Sequence, residues 1–150
     1  MDLTLDIKNK IEKLLNAGGI PAEVSVSPTN ETAFSVFLSI NDEAGQFIGR
    51  GGENLDAIEH LIRLVVNKNA TEPARIFVDI NGYKERRASI LREKARTIAD
   101  EVRLRGTTES LEPMSSFERR IIHLELAGRG DIVTESVGEE PYRKVIIKPA

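Results

Sequence analysis

The sequence predicts an α+β chain built as two small units, and three observations predict it. A glycine-rich break, Gly49-Arg50-Gly51-Gly52, separates a short lead-in from a helix-period run that places Leu55, Ile58, Ile62 and Val65 on one face. Two β-branched and aromatic runs, AFSVFLSI over 33–40 and RIFVDI over 75–80, read as strands. Beyond Gly82 the mixture recurs, with a long charged helical stretch, a shorter helix and two further strand-like runs.

Taken in order, residues 3–17 put Leu3, Ile7, Ile11, Leu14 and Leu15 at helical spacing, and Gly18-Gly19 before Pro21 ends that helix. Residues 22–27 alternate through Val24 and Val26, Pro28-Thr29-Asn30 turns the chain, and 33–40 completes a hairpin. The segment 43–48 reads as a short helix, the glycine break as a tight turn, and the run to Asn69 as a second helix. The strand over 75–80 is bounded by Pro73 and by Asn81-Gly82.

Residues 83–105 form the longest predicted helix, with Ile90, Leu91, Ala95, Ile98 and Val102 inward and Arg86, Arg87, Arg92, Lys94, Arg96 and Arg103 largely outward. Gly106 stops it, and 107–112 suits a short strand before Pro113. Ser115-Ser116-Phe117-Glu118 fits a capping box that starts a helix through Leu126, which Gly128-Arg129-Gly130 ends. Strands are expected over 132–137 and 143–147, around Gly138-Glu139-Glu140-Pro141. The expected domains are therefore 1–81 and 82–150, the second including its long leading helix.

Composition narrows the function classes. A chain of 150 residues, 40% hydrophobic and 30% charged, is ordinary for a soluble globular protein of one or two small domains. It has no cysteine, so disulfides and thiolate metal sites are out of reach, and its two histidines, His60 and His123, are too few for a histidine cluster. No metal site and no cofactor is expected. The N-terminal stretch is amphipathic and mixed in charge, and no run approaches a membrane span, so a cytoplasmic location without membrane insertion is expected. Net charge is −3, yet it divides unevenly: residues 1–81 carry seven basic and twelve acidic side chains, and 82–150 carry fourteen and twelve. Eight basic residues against four acidic fall within 83–105, and such clustering bears on nucleic-acid binding more than the sum does.

The glycine break suits a phosphate. Glycines leave room for another backbone and allow positive φ, the amides opening the next helix are unpaired, and Arg50 adds a cation. A P-loop would require a Lys-Ser or Lys-Thr pair after the glycines, and none follows. A dinucleotide fingerprint would require a third glycine where Asn54 stands, and a strand where 43–48 looks helical. What remains is Gly-x-x-Gly between two helices, and with Phe47 and Ile48 before it and Leu55 beyond, it resembles the KH signature, whose loop clamps single-stranded nucleic-acid backbone. The order helix, strand, strand, helix, Gly-x-x-Gly, helix, strand is similar to a type II KH domain across nearly all of 1–81.

The second half carries a second pattern. Arg119 and His123 lie four apart and share a helical face, the first with a fork suited to phosphate and the second able to donate to phosphate or stack on a base. With Pro113 to His123 before it and ESVGEEPYR over 135–143 after it, this stretch resembles the domain named for Arg-three-residues-His, the R-three-H domain, a small α/β unit associated with single-stranded nucleic acid. A KH domain followed by an R-three-H domain resembles the bacterial Jag family, which is KhpB/EloR-like and SpoIIIJ-associated. Many members carry a further N-terminal Jag domain; here the first helix begins at Leu3, so recruitment through such a domain is not expected of these residues.

The resemblance implies a single-stranded RNA-binding protein, an RNA chaperone or post-transcriptional regulator linked to cell elongation and cell-wall homeostasis. Expected nucleic-acid contacts are Ile48, Gly49, Arg50, Gly51 and Gly52 in the first unit and Arg119, His123 and Arg143 in the second. The implied partners are single-stranded RNA, with single-stranded DNA as a competing ligand, a small single-KH protein and a second copy of the chain. A KH-mediated protein-interaction scaffold is the alternative, with His60 as a surface or dimer-contact residue. A nuclease using His123 with Glu118 or Glu125 is disfavoured, because no nucleophile and no Asp/Glu cluster for two-metal chemistry stands at a readable spacing, so no catalytic residue is expected.

Overall fold

The computed structural model describes residues 2–150. The chain divides into two compact units, the first ending at Lys84 and the second running Glu85–Ala150.

In the first unit, α1 (Leu3–Ala17) is followed by β1 (Glu23–Pro28), β2 (Ala33–Ser39), α2 (Ala44–Ile48), a 3₁₀ turn (Arg50–Gly52), α3 (Glu53–Val66) and β3 (Arg75–Ile80). Asp2 caps α1, its carboxylate accepting from the Thr4 amide at 3.0 Å. The strands form one sheet in the order β1-β2-β3, with β1 antiparallel and β3 parallel to β2, so that Val36 faces Val26 on one side and Val78 on the other. A parallel pair requires a crossover, and α2 with α3 supplies it. This is the type II KH order that the sequence resembles.

Burial follows the two periods. Ile7, Ile11 and Leu15 of α1 and Leu55, Ile58, Ile62 and Val66 of α3 pack on Val36, Leu38, Ile76, Val78 and Ile80 of the sheet. Val66 takes the fully buried place expected of Val65, which is half-buried, because four residues beyond Ile62 the helical period returns closer to the centre of the buried stripe than three do. Asn81, at φ 54°, ties the sheet end by exchanging two side-chain hydrogen bonds with the Ile40 backbone, at 3.0 and 2.8 Å. The outer edge of β3 is covered by α3: Glu59 accepts from the Val78 amide at 2.8 Å, and Arg63 donates to the Ile76 carbonyl at 3.4 Å.

The second unit contains α4 (Tyr83–Arg105, whose first two residues close the first unit), β4 (Glu109–Ser110), α5 (Ser116–Leu126), β5 (Ile132–Val137) and β6 (Lys144–Pro149). Its sheet has the order β4-β6-β5 and is antiparallel throughout. Leu91, Ala95, Ala99 and Val102 of α4 pack with Ile122 and Leu126 of α5 over Ile132, Val145 and Ile147.

Several expectations differ in detail. Ile90 is exposed, and the buried stripe of α4 runs through Ala88 and Ala99 instead, small residues that let the helix approach its neighbours closely. The strand expected over 107–112 is two residues long, since Leu111 turns into the core and Pro113 cannot donate to a ladder. The last strand starts at Lys144 and extends to Pro149.

Candidate nucleic-acid interface

The glycine turn of the first unit is closed beneath and open above. Gly49 has φ 76° and ψ 176°, Gly51 φ 62° and Gly52 φ 80°, all in the region that disfavours side chains. A Cβ on Gly49 would lie 2.7 Å from the Asn54 Cγ and 2.9 Å from the Asn54 backbone nitrogen. A Cβ on Gly52 would meet the Tyr83 ring at 3.0 Å. At Gly51 the same atom would meet nothing within 4 Å. Asn54 braces the turn from below, its Nδ2 donating to the Gln46 carbonyl at 2.7 Å.

Arg50 and Gly51 are exposed at the crest, and Arg50 forms no ion pair among the described residues. The N-cap of α3 is Gly52, which has no side chain to satisfy the opening amides, while Glu53 and Asp56 place two carboxylates in the first turn. The Gly52 and Glu53 amides already donate to the Gly49 and Arg50 carbonyls, so a phosphate held at the crest meets the Arg50 cation, opposed by two nearby acids. Ile48, expected as a nucleic-acid contact, is 8% exposed and belongs to the core, where it anchors the end of α2 beneath the turn.

In the second unit, Ser115 caps α5, its Oγ accepting from the Glu118 amide at 3.2 Å. The Glu118 carboxylate is buried and accepts from Arg87 Nε at 2.8 Å. Arg87 is thereby drawn inward from the outer face expected of it.

Arg119 and His123 share the expected face of α5, but neither side chain is open. The Arg119 side chain is 8% exposed; Nη1 donates to the Met114 carbonyl at 2.6 Å and Nη2 to Glu140 Oε1 at 2.8 Å. Its fork is spent on fixing the loop between β5 and β6 to the start of α5. His123 is half-buried against β5, with Nδ1 2.7 Å from Thr134 Oγ1 and Nε2 2.7 Å from Ser136 Oγ. Burial, and secondarily the Arg119 charge, hold its pKa below the usual 6.5. A neutral ring that donates from one nitrogen and accepts at the other satisfies both hydroxyls.

Arg143 is exposed on that same loop, and its carbonyl accepts from the Met114 amide at 3.1 Å. Neither Arg143 nor the exposed Arg120 forms an ion pair among the described residues. Most cations of α4 are matched by acids: Arg92 by Glu85, Lys94 by Glu112, Arg96 by Glu125 and Arg103 by Asp131. Asn54, Tyr83, Thr134, Ser136 and Glu140 escaped the sequence reading, since each works through a partner distant in the chain. Among the described residues no group of three or more His, Cys, Asp or Glu is arranged to hold a metal ion, and no helix is long and apolar enough to cross a membrane.

Comparison with known proteins agrees with this layout. The KH domain of KhpA and KhpB matches residues 8–80, and the R-three-H domain matches 89–149. A protein of Clostridium symbiosum named RNA-binding protein KhpB is 39% identical over 138 residues, covering 91% of this chain and 62% of that protein. Proteins of the same name from Lactiplantibacillus plantarum and Bacillus subtilis are 33% and 35% identical, covering 86% and 71% of this chain and 39% and 52% of theirs. The chain thus spans less than two thirds of the length of these relatives.

Proposed function

Because the chain belongs to the Jag/KhpB-type family, with a KH domain followed by an R-three-H domain, we propose that it binds single-stranded RNA and performs no chemistry on it. The observation that carries this reading is the turn at Gly49–Gly52, whose floor is packed by Asn54 and Tyr83 while Arg50 and Gly51 stay open. Such a crest can take a sugar-phosphate backbone over its Cβ-free surface beside Arg50, as KH loops clamp single strands. In the second unit the exposed Arg120 and Arg143 offer cations without ion pairs among the described residues, and Arg119 and His123 act one step back, by fixing the loop that carries Arg143 and the strand beside it. The domain limits proposed are 1–81 and 82–150.

The finer role is part of the same proposal. An RNA chaperone or post-transcriptional regulator, acting in the cytoplasm on transcripts for cell elongation and wall homeostasis, would need this sequence-tolerant grip. Relatives named RNA-binding proteins support the class of ligand. The test is fluorescence anisotropy of labelled RNA with the wild-type chain and Gly51→Asp. The variant adds a carboxylate where a Cβ has free space, so it is expected to fold and to lose at least tenfold in affinity. Wild-type affinity in Gly51→Asp would remove the turn from the reading. Incubation with magnesium should leave the RNA intact.

One observation favours a second reading. The outward face of α3 exposes Leu61 and Leu64 beside His60, an apolar strip suited to another helix. Pairing with a small single-KH protein or a second copy is compatible with RNA binding, and sedimentation of Leu61→Lys against wild type tests it.

A further inference from the structure

The sheet of the first unit buries one face under α1 and α3 and leaves the other open. On that open face two aromatic rings stand exposed on neighbouring strands, Phe37 of β2 at 43% and Phe77 of β3 at 46%. The register sets Phe37 opposite Asp79 and Phe77 opposite Ser35, so the rings are diagonal neighbours, on the order of 8 Å apart from strand spacing and rise. The Arg75 guanidinium lies 5.7 Å from the centre of the Phe77 ring. Around them the face is hydroxylic: Ser25 lies opposite Phe37 on β1 and Ser27 opposite Ser35.

We propose that this open face is a base-stacking platform, on which Phe37 and Phe77 each take one base of a single-stranded nucleic acid. The proposal rests on the RNA-binding reading above and assigns the strand a second surface on the same unit. Flat rings on adjacent strands suit bases splayed out of a single strand, and every base has a face to stack. Arg75 adds a second planar group beside Phe77, and the serines supply hydrogen-bond partners for base edges.

The chemistry of the face selects the base over other occupants. Two half-exposed rings offer only roughly 200 Å² of apolar surface. A stable protein interface requires about 800 Å² per partner. No aliphatic side chain of β2 or β3 is exposed there to enlarge the patch. Strand addition at the β3 edge is blocked by Glu59 and Arg63. The face also carries Glu23 and Asp79 against the single cation Arg75, which disfavours phosphate and leaves the uncharged base as the fitting part of the ligand. Affinity from this surface should accordingly be insensitive to salt.

The chain has no tryptophan, so Phe37→Trp and Phe77→Trp each install a single reporter without removing the ring. Each full-length variant is titrated with unstructured oligouridylate and oligoadenylate while anisotropy follows binding. The expected result is quenching of both reporters on binding. In parallel, Phe37→Ala/Phe77→Ala is expected to weaken binding about fivefold or more, with the salt dependence unchanged. Unquenched reporters with normal binding overturn the platform and leave the RNA-binding reading standing. Loss of self-association in the alanine variant with RNA affinity intact also overturns it, in favour of a protein contact. Failure of the wild type to bind any oligonucleotide removes both.

Discussion

Arg119 shows how a residue type apt for phosphate can serve the fold instead. Its fork is committed to Glu140 and to the Met114 carbonyl. Replacing it by methionine keeps the stem but leaves the Met114 carbonyl unpaired, while Glu140, more than half exposed, returns to water. We expect Arg119→Met to lower stability by about 1–3 kcal/mol in urea denaturation. RNA affinity should fall only as far as the loop bearing Arg143 loosens. Equal stability in the variant would return Arg119 to a solvent-facing role. His123 makes a pH-dependent counterpart. Because its folded pKa lies below the usual 6.5, the unfolded chain binds a proton more readily once the pH drops beneath that value. The second unit should therefore hold its stability above about 6.5, lose it progressively below, and level off under the folded pKa. Thermal melts of wild type and His123→Gln between neutral and mildly acid pH check this, since the glutamine variant should lack that fall.

At the scale of elements, the glycine turn separates folding from binding within three residues. Gly49→Ala brings a Cβ to 2.7 Å of the Asn54 side chain and 2.9 Å of its backbone nitrogen at φ 76°, and backbone cannot easily yield. We expect it to destabilise the first unit by about 2–3 kcal/mol, seen as an earlier unfolding transition. Gly51→Asp, in open space at φ 62°, should cost only about 1 kcal/mol, because aspartate tolerates the left-handed region. The glycine spacing and the periodicities around it made this element legible, as did Ser115 as a cap. What escaped the sequence is of one kind: Asn54 bracing Gln46, Glu118 held by Arg87, and Glu140 held by Arg119 are pairings between elements. Their direction depends on how helices and loops dock, which no local period encodes. Hence helical spacing puts Arg119 and His123 on one face but does not show that the Arg119 fork turns to Glu140, nor that Ile48 packs into the core.

Across the whole molecule, a net charge of −3 gives no general attraction for a polyanion. Most of the basic residues on α4 have acidic partners, so Arg50, Arg120 and Arg143 remain as the exposed cations near the proposed contacts. Binding by so few charges has a definite signature. Each phosphate neutralised on a single strand contributes about −0.7 to the slope of log affinity against log salt. Three contacts predict a slope of roughly −2, shallow beside that of a protein with an extended basic surface. Arg50→Gln and Arg143→Gln should each flatten it by about 0.7, whereas Phe37→Ala/Phe77→Ala should lower affinity at every salt concentration and leave the slope alone. Anisotropy titrations across a tenfold range of salt measure all three. A wild-type slope near −5 would mean that many more phosphates are held than these cations can account for, and would move the strand onto the paired arginines of α4.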